Sequence, residues 1–151
     1  MSKIISAGIL LEYDGKFLIG HPTEMYGTTN GWGILKGKVD PGEFLIEAAI
    51  REFKEESNLD LNHWTHAQGV HKFPRPFYSY QVKNKTVYVF WMIDTLGYTT
   101  QAKLSCPSLI EGTDKPEIDA YQWVTPDEAI KMVVESQIDL FKTVKELTKL
   151  K

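Results

Sequence analysis

Apolar positions at the start of the chain form two strand-like runs joined by a tight turn. Ile4–Tyr13 and residues 16–21 are mostly apolar, and Asp14-Gly15 lies between them. An Asp-Gly pair between two such runs is a strong signal for a β-hairpin, because the turn needs residues that tolerate a positive φ. We therefore predict two antiparallel strands at the start of the chain.

Polar residues and glycines then interrupt this pattern. Residues 22–31 are rich in Thr, Gly and Asn, a composition that is typical of a loop. We predict a short strand at residues 32–35, followed by a second loop, bounded by glycines, at residues 36–42.

The hydrophobic period changes to that of a helix over residues 43–57. The apolar residues at the spacing i, i+3, i+4, i+7 are Ile46, Ala49, Ile50 and Phe53. This spacing places them on one face of an α-helix. Asn58 follows the last turn, and Asn is second only to Gly in adopting the left-handed conformation of a helix end. The pattern predicts an amphipathic helix that stops at Asn58.

Strands are predicted again in the second half, before the chain ends in helix. The strand-like segments are residues 65–70, 77–82, Lys85–Asp94 and Ile118–Val124, and residues 97–115 are irregular. Thr125, Pro126 and Glu128 fit the N-cap, first and third positions of a helix, so one or two helices fill residues 126–150. The order of strands, helix, strands and helix indicates an α+β fold or a mixed sheet with helices packed on it.

The composition is that of a globular protein with one core. The 151 residues are 42% hydrophobic and 25% charged, which is enough to bury a core without disulfides. We predict a single domain over residues 1–151. The net charge is −3, and the two arginines are Arg51 and Arg75. This composition argues against a nucleic-acid partner, because such an interface needs a broad basic surface.

The cysteine content and the N-terminus bear on the cellular compartment. One cysteine, Cys106, leaves no disulfide within the chain, so a reducing cytosol is the simplest compartment and a cytoplasmic location is predicted. The N-terminal apolar run is short and interrupted by Glu12 and Asp14. It therefore predicts neither a signal peptide nor a membrane span.

Three carboxylates lie close together near the end of the predicted helix. Glu52, Glu55 and Glu56 have the spacing i, i+3, i+4, which makes their side chains neighbours beside the apolar face. Like charges at this spacing destabilise a helix by about 0.2–0.5 kcal/mol per pair, and the helix dipole disfavours negative charge at the C-terminal end. A bound divalent cation such as Mg²⁺ would offset the repulsion, because it prefers oxygen ligands. A solvated acidic face is the alternative.

The spacing of residues around these carboxylates resembles the signature of the Nudix family. Eight of the nine defined positions of this 23-residue pattern match in register. They are Gly37, Glu43, Arg51, Glu52, Phe53, Glu55, Glu56 and Leu59. Asn58 stands where the family usually has Gly, and it tolerates the same left-handed conformation. Residues 32–37 and 116–129 are also similar to parts of the family.

This resemblance implies an α+β fold, the Nudix fold, in which a mixed β-sheet is sandwiched between helices in three layers, α/β/α. It implies a pyrophosphohydrolase, an enzyme that cuts a diphosphate linkage in a nucleoside diphosphate derivative such as a dinucleoside polyphosphate, ADP-ribose or FAD. Lys36-Gly37-Lys38 resembles the entry segment of enzymes that act on longer polyphosphate chains, which favours dinucleoside polyphosphates. Two other functions stay open: a nucleotide-binding sensor without turnover, and an RNA cap-type pyrophosphohydrolase.

The metal ligands of the family match four residues of this chain. The resemblance implies that Glu52, Glu55, Glu56 and the backbone carbonyl of Gly37 hold Mg²⁺, with Mn²⁺ as a substitute. A metal at this position would polarise a phosphoryl oxygen and lower the pKa of a bound water.

Arg51 is implied to belong to the same catalytic unit. Relatives use the arginine at this position to orient acidic residues of the loop and helix, here Glu43. Arg51 also lies four residues after Glu47, so a surface ion pair that contributes little is the alternative.

The resemblance leaves the general base open. Glu52 or Glu55 could take this role, but many relatives use an acidic residue from a distant loop. Glu111, Asp114 and Glu117 are the candidates for such a distal base, and for each an ordinary exposed carboxylate is the alternative.

Four residues are candidates for contacts with a small-molecule nucleotide substrate. Lys36 and Lys38 flank Gly37 and could reach a phosphate, although each could also be an ordinary loop lysine. Arg75 lies between aromatic residues and could stack on a base or hold a phosphate; a proline-stiffened loop with its aromatics in the core is the alternative. Tyr26 is a further candidate for base stacking. The sequence predicts a monomer or a homodimer and does not separate the two.

Overall fold

The computed structural model describes residues 3–25, 30–63, 70–72 and 75–149. The strands formed by these residues are β1 (Ile4–Tyr13), β2 (Lys16–Pro22), β3 (Leu35–Lys38), β4 (Val70–Lys72), β5 (Tyr78–Val82), β6 (Lys85–Asp94) and β7 (Ile118–Val124). The α-helices are α1 (Leu45–Ser57), α2 (Pro126–Met132) and α3 (Ile138–Lys149). Short 3₁₀ turns span Thr23–Met25, Tyr98–Gln101 and Glu135–Gln137.

The seven strands of the described residues form one mixed sheet around β1. Strand β1 runs parallel to β6, from Ile4 opposite Lys85 to Glu12 opposite Ile93. On its other side β1 pairs antiparallel with β3 and, near its end, with β2. Strand β2 pairs with β7, and β6 pairs with both β4 and β5, in each case antiparallel. The parallel pair needs a long crossover, and this crossover contains α1.

The two faces of the sheet bury separate apolar clusters, because side chains alternate along β1. Ile9 and Leu11 pack with Phe53 of α1, whereas Leu10 packs with Phe141 of α3 on the opposite face. All five side chains are fully buried. Helix α1 thus covers one face, and α2 and α3 cover the other. The prediction of a mixed sheet between helices, α/β/α, is confirmed.

The predicted hairpin is present. Asp14 and Gly15 both have positive φ, 50° and 78°, and they join β1 to β2 as the Asp-Gly signal indicates. Lys83 has a φ of 55° in the turn between β5 and β6. Of the predicted strand at residues 65–70, Val70 begins β4, and residues 65–69 lie outside the described residues.

The short strand before α1 differs from its prediction. Strand β3 spans Leu35–Lys38 instead of residues 32–35, and Gly37 lies opposite Ala7 of β1. Trp32 and Gly33 make isolated bridges to Val133 and Gly20 instead. The Lys-Gly-Lys segment has no strand-forming side chains, so its strand character comes from pairing with β1, which local propensity does not report.

Helix α1 begins at Leu45, two residues after the predicted start. The backbone N–H of Phe44 donates to the Glu47 carboxylate (2.9 Å), which makes Phe44 the N-cap residue. Glu43 therefore belongs to the loop before the helix.

Among the described residues, no helix combines the length and apolar character that crossing a membrane requires.

The end of α1 matches its prediction. Asn58 is left-handed (φ 64°, ψ 18°), and its N–H donates to the carbonyl of Lys54 (2.8 Å). This conformation stops the helix directly after its acidic turn.

We expect the cost of replacing Asn58 to depend on tolerance of a positive φ. Asn58→Ala should lower the free energy of unfolding by about 1 kcal/mol, because a Cβ without a compensating amide is disfavoured in this conformation. Asn58→Gly is the matched control and should stay within a few tenths of a kcal/mol of the parent, roughly the spread of neutral surface changes. Urea unfolding of the three proteins measures the difference. Equal losses in both variants would contradict this account.

Candidate active site

Helix α1 presents its acidic residues to the sheet in graded order of burial. Phe53 is fully buried against the sheet, and Glu56, three residues later, shares this face and is 6% exposed. The Glu52 side chain is 14% exposed and that of Glu55 is 43% exposed. The three carboxylates are therefore not equivalent, since packing of the apolar face drives Glu56 inward and leaves Glu55 at the surface.

Arg51 ties the loop before α1 to the helix. Its Nε and Nη2 atoms donate to the two oxygens of Glu43 (2.8 and 2.9 Å), and Nη2 also donates to the carbonyl of Lys38 (3.0 Å). Nη2 lies 3.4 Å from an oxygen of Asp40. The paired geometry with Glu43 is the strong form of an arginine–carboxylate contact, and it holds the pKa of Glu43 at about 2.

Glu47 is not the ionic partner of Arg51. Its carboxylate accepts the backbone N–H of Phe44 instead. The surface pair at spacing i+4, offered as the alternative for Arg51, is therefore wrong. Spacing gives equal weight to every acid one turn away, whereas the loop conformation brings Glu43 to the guanidinium.

Arg51 also contacts two carboxylates of the acidic cluster. Nη1 donates to Glu52 (2.9 Å) and to Glu55 (3.2 Å to Oε2). The hydrogen bonds with Glu43, first, and with Glu52 raise the pKa of the Arg51 guanidinium further above its already high value. Burial nevertheless raises the pKa of Glu52, although Arg51 opposes this shift.

Gly37 of β3 leaves room for the Glu52 carboxyl group. A Cβ atom at residue 37 would lie 2.0 Å from the carboxyl carbon of Glu52, far inside contact distance. The backbone of Gly37 and the Glu52 side chain are therefore in direct contact, and this close approach requires glycine.

Glu56 is the most buried acid of the cluster. One of its oxygens accepts the backbone N–H of Lys36 (3.1 Å), and the Tyr121 hydroxyl donates to its backbone carbonyl. Burial, followed by the charges of Glu52 and Glu117, raises the pKa of Glu56 to about 8. A carboxylate with this pKa is poorly compensated when ionised.

A cleft opens beside Glu56. Its volume is about 480 Å³, within the usual range for small-molecule sites. The polar side chains that line it are Glu24, Lys36, Glu56, Glu111, Glu117 and Gln137, and the larger apolar ones are Trp32, Ile34, Ile110, Ile118 and Val134. The lining therefore combines four carboxylates and one lysine with apolar side chains that include an indole ring.

The lysines that flank Gly37 have different positions. Lys36 lines the cleft, and burial together with the nearby Lys85 lowers its pKa to about 8. The Lys38 side chain is exposed and does not line the cleft, whereas its carbonyl binds Arg51. Lys36 is thus the one of the two that faces a ligand-sized space.

The structure describes one of the two remaining substrate candidates. Arg75 is exposed and is not among the residues that line the cleft. Tyr26 lies outside the described residues.

The structure separates the three candidates for a distal base. Glu117 and Glu111 line the cleft, whereas Asp114 is exposed in the turn between them and does not. Of the three, Glu117 is close enough to Glu52 and Glu56 for its charge to raise the pKa of both.

The acidic cluster fits a divalent cation in chemistry but is not preformed for one. Among residues 3–25, 30–63, 70–72 and 75–149, no three His, Cys, Asp or Glu side chains have an arrangement that could hold a metal ion, and Glu52 and Glu55 bind Arg51 instead. The donor set of carboxylates next to a glycine carbonyl suits Mg²⁺. A cation beside Glu52 and Glu56 would also supply the positive charge that the raised pKa values show to be lacking.

Sequence patterns missed several residues of this site. Gln137 is 2% exposed, accepts the N–H of Ile34 (2.9 Å) and donates to the Tyr80 hydroxyl (3.1 Å). Its position in a 3₁₀ turn gave no signal. Trp32 appeared only as part of the lead-in to the signature. Its ring packs on that of His21 (centroids 5.2 Å apart).

Comparison with known proteins agrees with the signature. The NUDIX domain profile matches residues 3–144. The asymmetrical bis(5'-nucleosyl)-tetraphosphatase of Mus musculus is 32% identical over 102 residues, which are 67% of this chain and 60% of the mouse protein. The match therefore spans less than two thirds of the length of that relative. The resemblance to the family that the signature carries is confirmed.

Two solved structures share the fold. The crystal structure of a C. elegans Ap4A hydrolase binary complex has a TM-score of 0.70 and 20% identity, and covers 95% of this chain and 98% of its own. The crystal structure of a MutT protein from Methanosarcina mazei Go1 has a TM-score of 0.66 and 21% identity, with 98% and 96% coverage. At these identities the likeness establishes the fold.

We expect the Glu43–Arg51 contact to stabilise the protein in a pH-dependent way. At pH 7, Glu43→Gln should lower the free energy of unfolding by about 1–2 kcal/mol, because a part-buried, charge-assisted pair with two hydrogen bonds is lost. The folded pKa of Glu43 is about 2, below its ordinary 4.5. The stabilisation is therefore complete above about pH 4.5 and is lost as the pH falls towards 2.

Urea unfolding of parent and Glu43→Gln at pH 7, 4.5 and 3.5 checks this prediction. The matched control is Glu146→Gln on α3, whose side chain is 72% exposed, and it should have little effect at any pH. A constant difference between parent and Glu43→Gln from pH 7 to 3.5 would rule out the ionic contribution.

We expect Gly37→Ala to disturb the acidic cluster while the protein stays folded. The new methyl group must displace the Glu52 carboxyl, so the affinity for Mn²⁺, measured by electron paramagnetic resonance, should fall at least about tenfold. Far-ultraviolet circular dichroism serves to check folding. An unchanged Mn²⁺ affinity in a folded variant would show that the Gly37–Glu52 contact has no part in metal binding.

Proposed function

The chain belongs to the Nudix domain family, and from this premise we propose that it hydrolyses a diphosphate linkage in a dinucleoside polyphosphate with Mg²⁺ as cofactor. The observation that carries the proposal is the burial of Glu56, close to Glu52, at a cleft that Lys36 also lines. The asymmetrical tetraphosphatase activity in the name of the mouse relative supports the choice of substrate class.

We assign the metal to the residues of the acidic cluster. Glu52, Glu55, Glu56 and the carbonyl of Gly37 would hold Mg²⁺, after Glu52 and Glu55 turn away from Arg51. When bound, Mg²⁺ polarises a phosphoryl oxygen, neutralises charge on the phosphates and makes a bound water more acidic. Mn²⁺, which also takes oxygen ligands, is the expected substitute.

The other charged residues of the cleft bind and orient the substrate. Lys36 holds a phosphate with its ammonium group, and its low pKa rises when the phosphate supplies a negative partner. Glu117 accepts a proton from the attacking water. Of the three distal candidates, it is the one whose charge raises the pKa of both Glu52 and Glu56. Arg51 keeps the loop of Glu43 fixed to α1, so that the carbonyl of Gly37 and the helix carboxylates keep a common geometry.

The apolar part of the cleft is suited to a nucleoside. Trp32 lines this part, together with Ile34 and Val134, and an indole ring next to aliphatic side chains is a favourable surface for a flat base. A dinucleotide would thus place its phosphates at the carboxylates and Lys36, with the metal, and one base against the indole and aliphatic side chains.

A second function has one observation in its favour. Arg51 already binds Glu52 and Glu55, and an arginine that kept these contacts would replace the metal. The protein would then bind a nucleotide as a sensor without turnover. The single cysteine, whose thiol donates to the carbonyl of Glu55, is compatible with the proposed cytoplasmic location in either case.

The test is product formation with Mg²⁺ present or chelated. The panel contains diadenosine tri- to hexaphosphates, ADP-ribose, FAD, nucleoside triphosphates and capped RNA. We expect metal-dependent cleavage of the dinucleoside polyphosphates, and Glu56→Gln should lower kcat by at least about 100-fold, because a charged ligand of the proposed metal is lost.

Glu146→Gln, on the exposed face of α3, is the matched control and should keep the activity of the parent. Undiminished turnover in chelator or in Glu56→Gln would exclude the proposed mechanism. Tight nucleotide binding without product, measured by isothermal titration, would establish the sensor instead.

A further inference from the structure

Residues 108–117 form a small hairpin at the mouth of the cleft. The N–H of Glu117 donates to the carbonyl of Ser108 (3.0 Å), and the N–H of Ile110 donates to that of Lys115 (2.9 Å). Leu109 and Pro116 form an antiparallel bridge between them. Ser108 and Glu117 are therefore direct cross-strand partners, and Glu111 lies in the turn.

Ser108 joins this hairpin to the acidic end of α1. Its backbone N–H donates to the carbonyl of Glu55 (3.1 Å), one of the helix carbonyls that lack an intrahelical donor. Its hydroxyl lies 3.0 Å from Oε1 of Glu117, to which it donates. The same residue thus contacts the helix that carries the metal-ligand candidates and the distal acid.

Glu117 is fixed from a second direction. The N–H of Thr23 donates to the carbonyl of Glu117 (2.9 Å), and the Thr23 hydroxyl donates to the carbonyl of Pro116. With its backbone held on both sides, the position of the Glu117 carboxylate depends on the side-chain torsions alone. The hydroxyl of Ser108 fixes these torsions by binding one oxygen, and Oε2 remains available to another ligand.

The carboxylate of Glu117 faces the acidic cluster. Glu117 and Glu56 line the same cleft, and the charge of Glu117 raises the pKa of both Glu52 and Glu56. A glutamate free to rotate would avoid two like charges. Its retention there calls for a contact that offsets the repulsion, and the Ser108 hydroxyl is such a contact.

We propose that Ser108 is a positioning residue that aims the Glu117 carboxylate at the metal-binding end of the cleft. The inference rests on the proposed function, because it gives Glu117 a part in that site. Ser108 itself touches neither substrate nor metal. It acts through Glu117. The hydrogen bond from the Ser108 N–H to the carbonyl of Glu55 sets the distance of Ser108 from α1.

The test compares the Mn²⁺ affinities of single and double variants, measured by electron paramagnetic resonance of free Mn²⁺. Glu117→Gln should weaken Mn²⁺ binding, because it removes a negative charge that acts on Glu52 and Glu56, and Ser108→Ala should weaken it about tenfold, because that charge is no longer held in place. In the Glu117→Gln background, Ser108→Ala should have no further effect, because there is no carboxylate left to aim. Ser108→Thr, which keeps the hydroxyl, should restore the affinity.

Ser105→Ala is the matched control in the same loop. The backbone N–H of Ser105 donates to the carbonyl of Ser57 (3.2 Å), and alanine keeps this contact, so the variant should bind Mn²⁺ like the parent. If Ser108 only stabilises the hairpin, its effect will add to that of Glu117→Gln, and this additivity overturns the inference. Parent-like affinity of Ser108→Ala, or a folded parent that binds no Mn²⁺, would also overturn it.

Turnover separates this inference from the proposed function. On a cleaved dinucleoside polyphosphate, Ser108→Ala should lower kcat about tenfold or more with little change in KM, because a misplaced acid affects the chemical step. If the parent hydrolyses no member of the panel, the proposed function fails. The Mn²⁺ titrations still decide whether Ser108 aims Glu117.

Discussion

The site depends on the hydrogen bonds that the Arg51 guanidinium makes to the loop before α1. Its rigid plane of donors reaches Glu43 through two bonds and the carbonyl of Lys38 through a third, and its remaining face meets Glu52 and Glu55. One side chain thereby sets the distance between β3 and the last turns of α1. At this distance the Gly37 backbone contacts the Glu52 side chain, and no space is left for a side chain at residue 37.

Burial at this junction brings the pKa values of an acidic and a basic side chain close together. It raises the pKa of Glu56 and lowers that of Lys36, so both titrate at about 8. Lys36 and Glu56 attract each other, but burial outweighs this attraction for both groups, as do Lys85 for Lys36 and Glu52 for Glu56. A ligand that combines a divalent cation with phosphates would complement both at once. The same loss of solvation that destabilises these charges would therefore favour the binding of such a ligand.

Much of the local structure was predicted from the sequence, and the predictions that were wrong share one cause. The Asp14-Gly15 turn and the left-handed end of α1 at Asn58 are properties of single residues and their backbone torsions, which explains why they were predictable. The strand at Leu35–Lys38 was not, because its partner is β1 and its own side chains carry no strand pattern. In the same way, residue spacing suggested Glu47 as the partner of Arg51, whereas the path of the loop places Glu43 beside the guanidinium.

The sequence by itself determined the family, the order of elements and the set of residues from which a metal site can be built, because these depend on spacing along one helix and one loop. Tertiary structure decided which residues face the cleft. It placed Lys36 at the cleft and left Lys38, two residues later on the same strand, exposed, and it chose Glu117 over Asp114 through the hairpin that Ser108 fastens to α1. These choices depend on contacts between segments far apart in the chain, and no local period or propensity encodes such contacts.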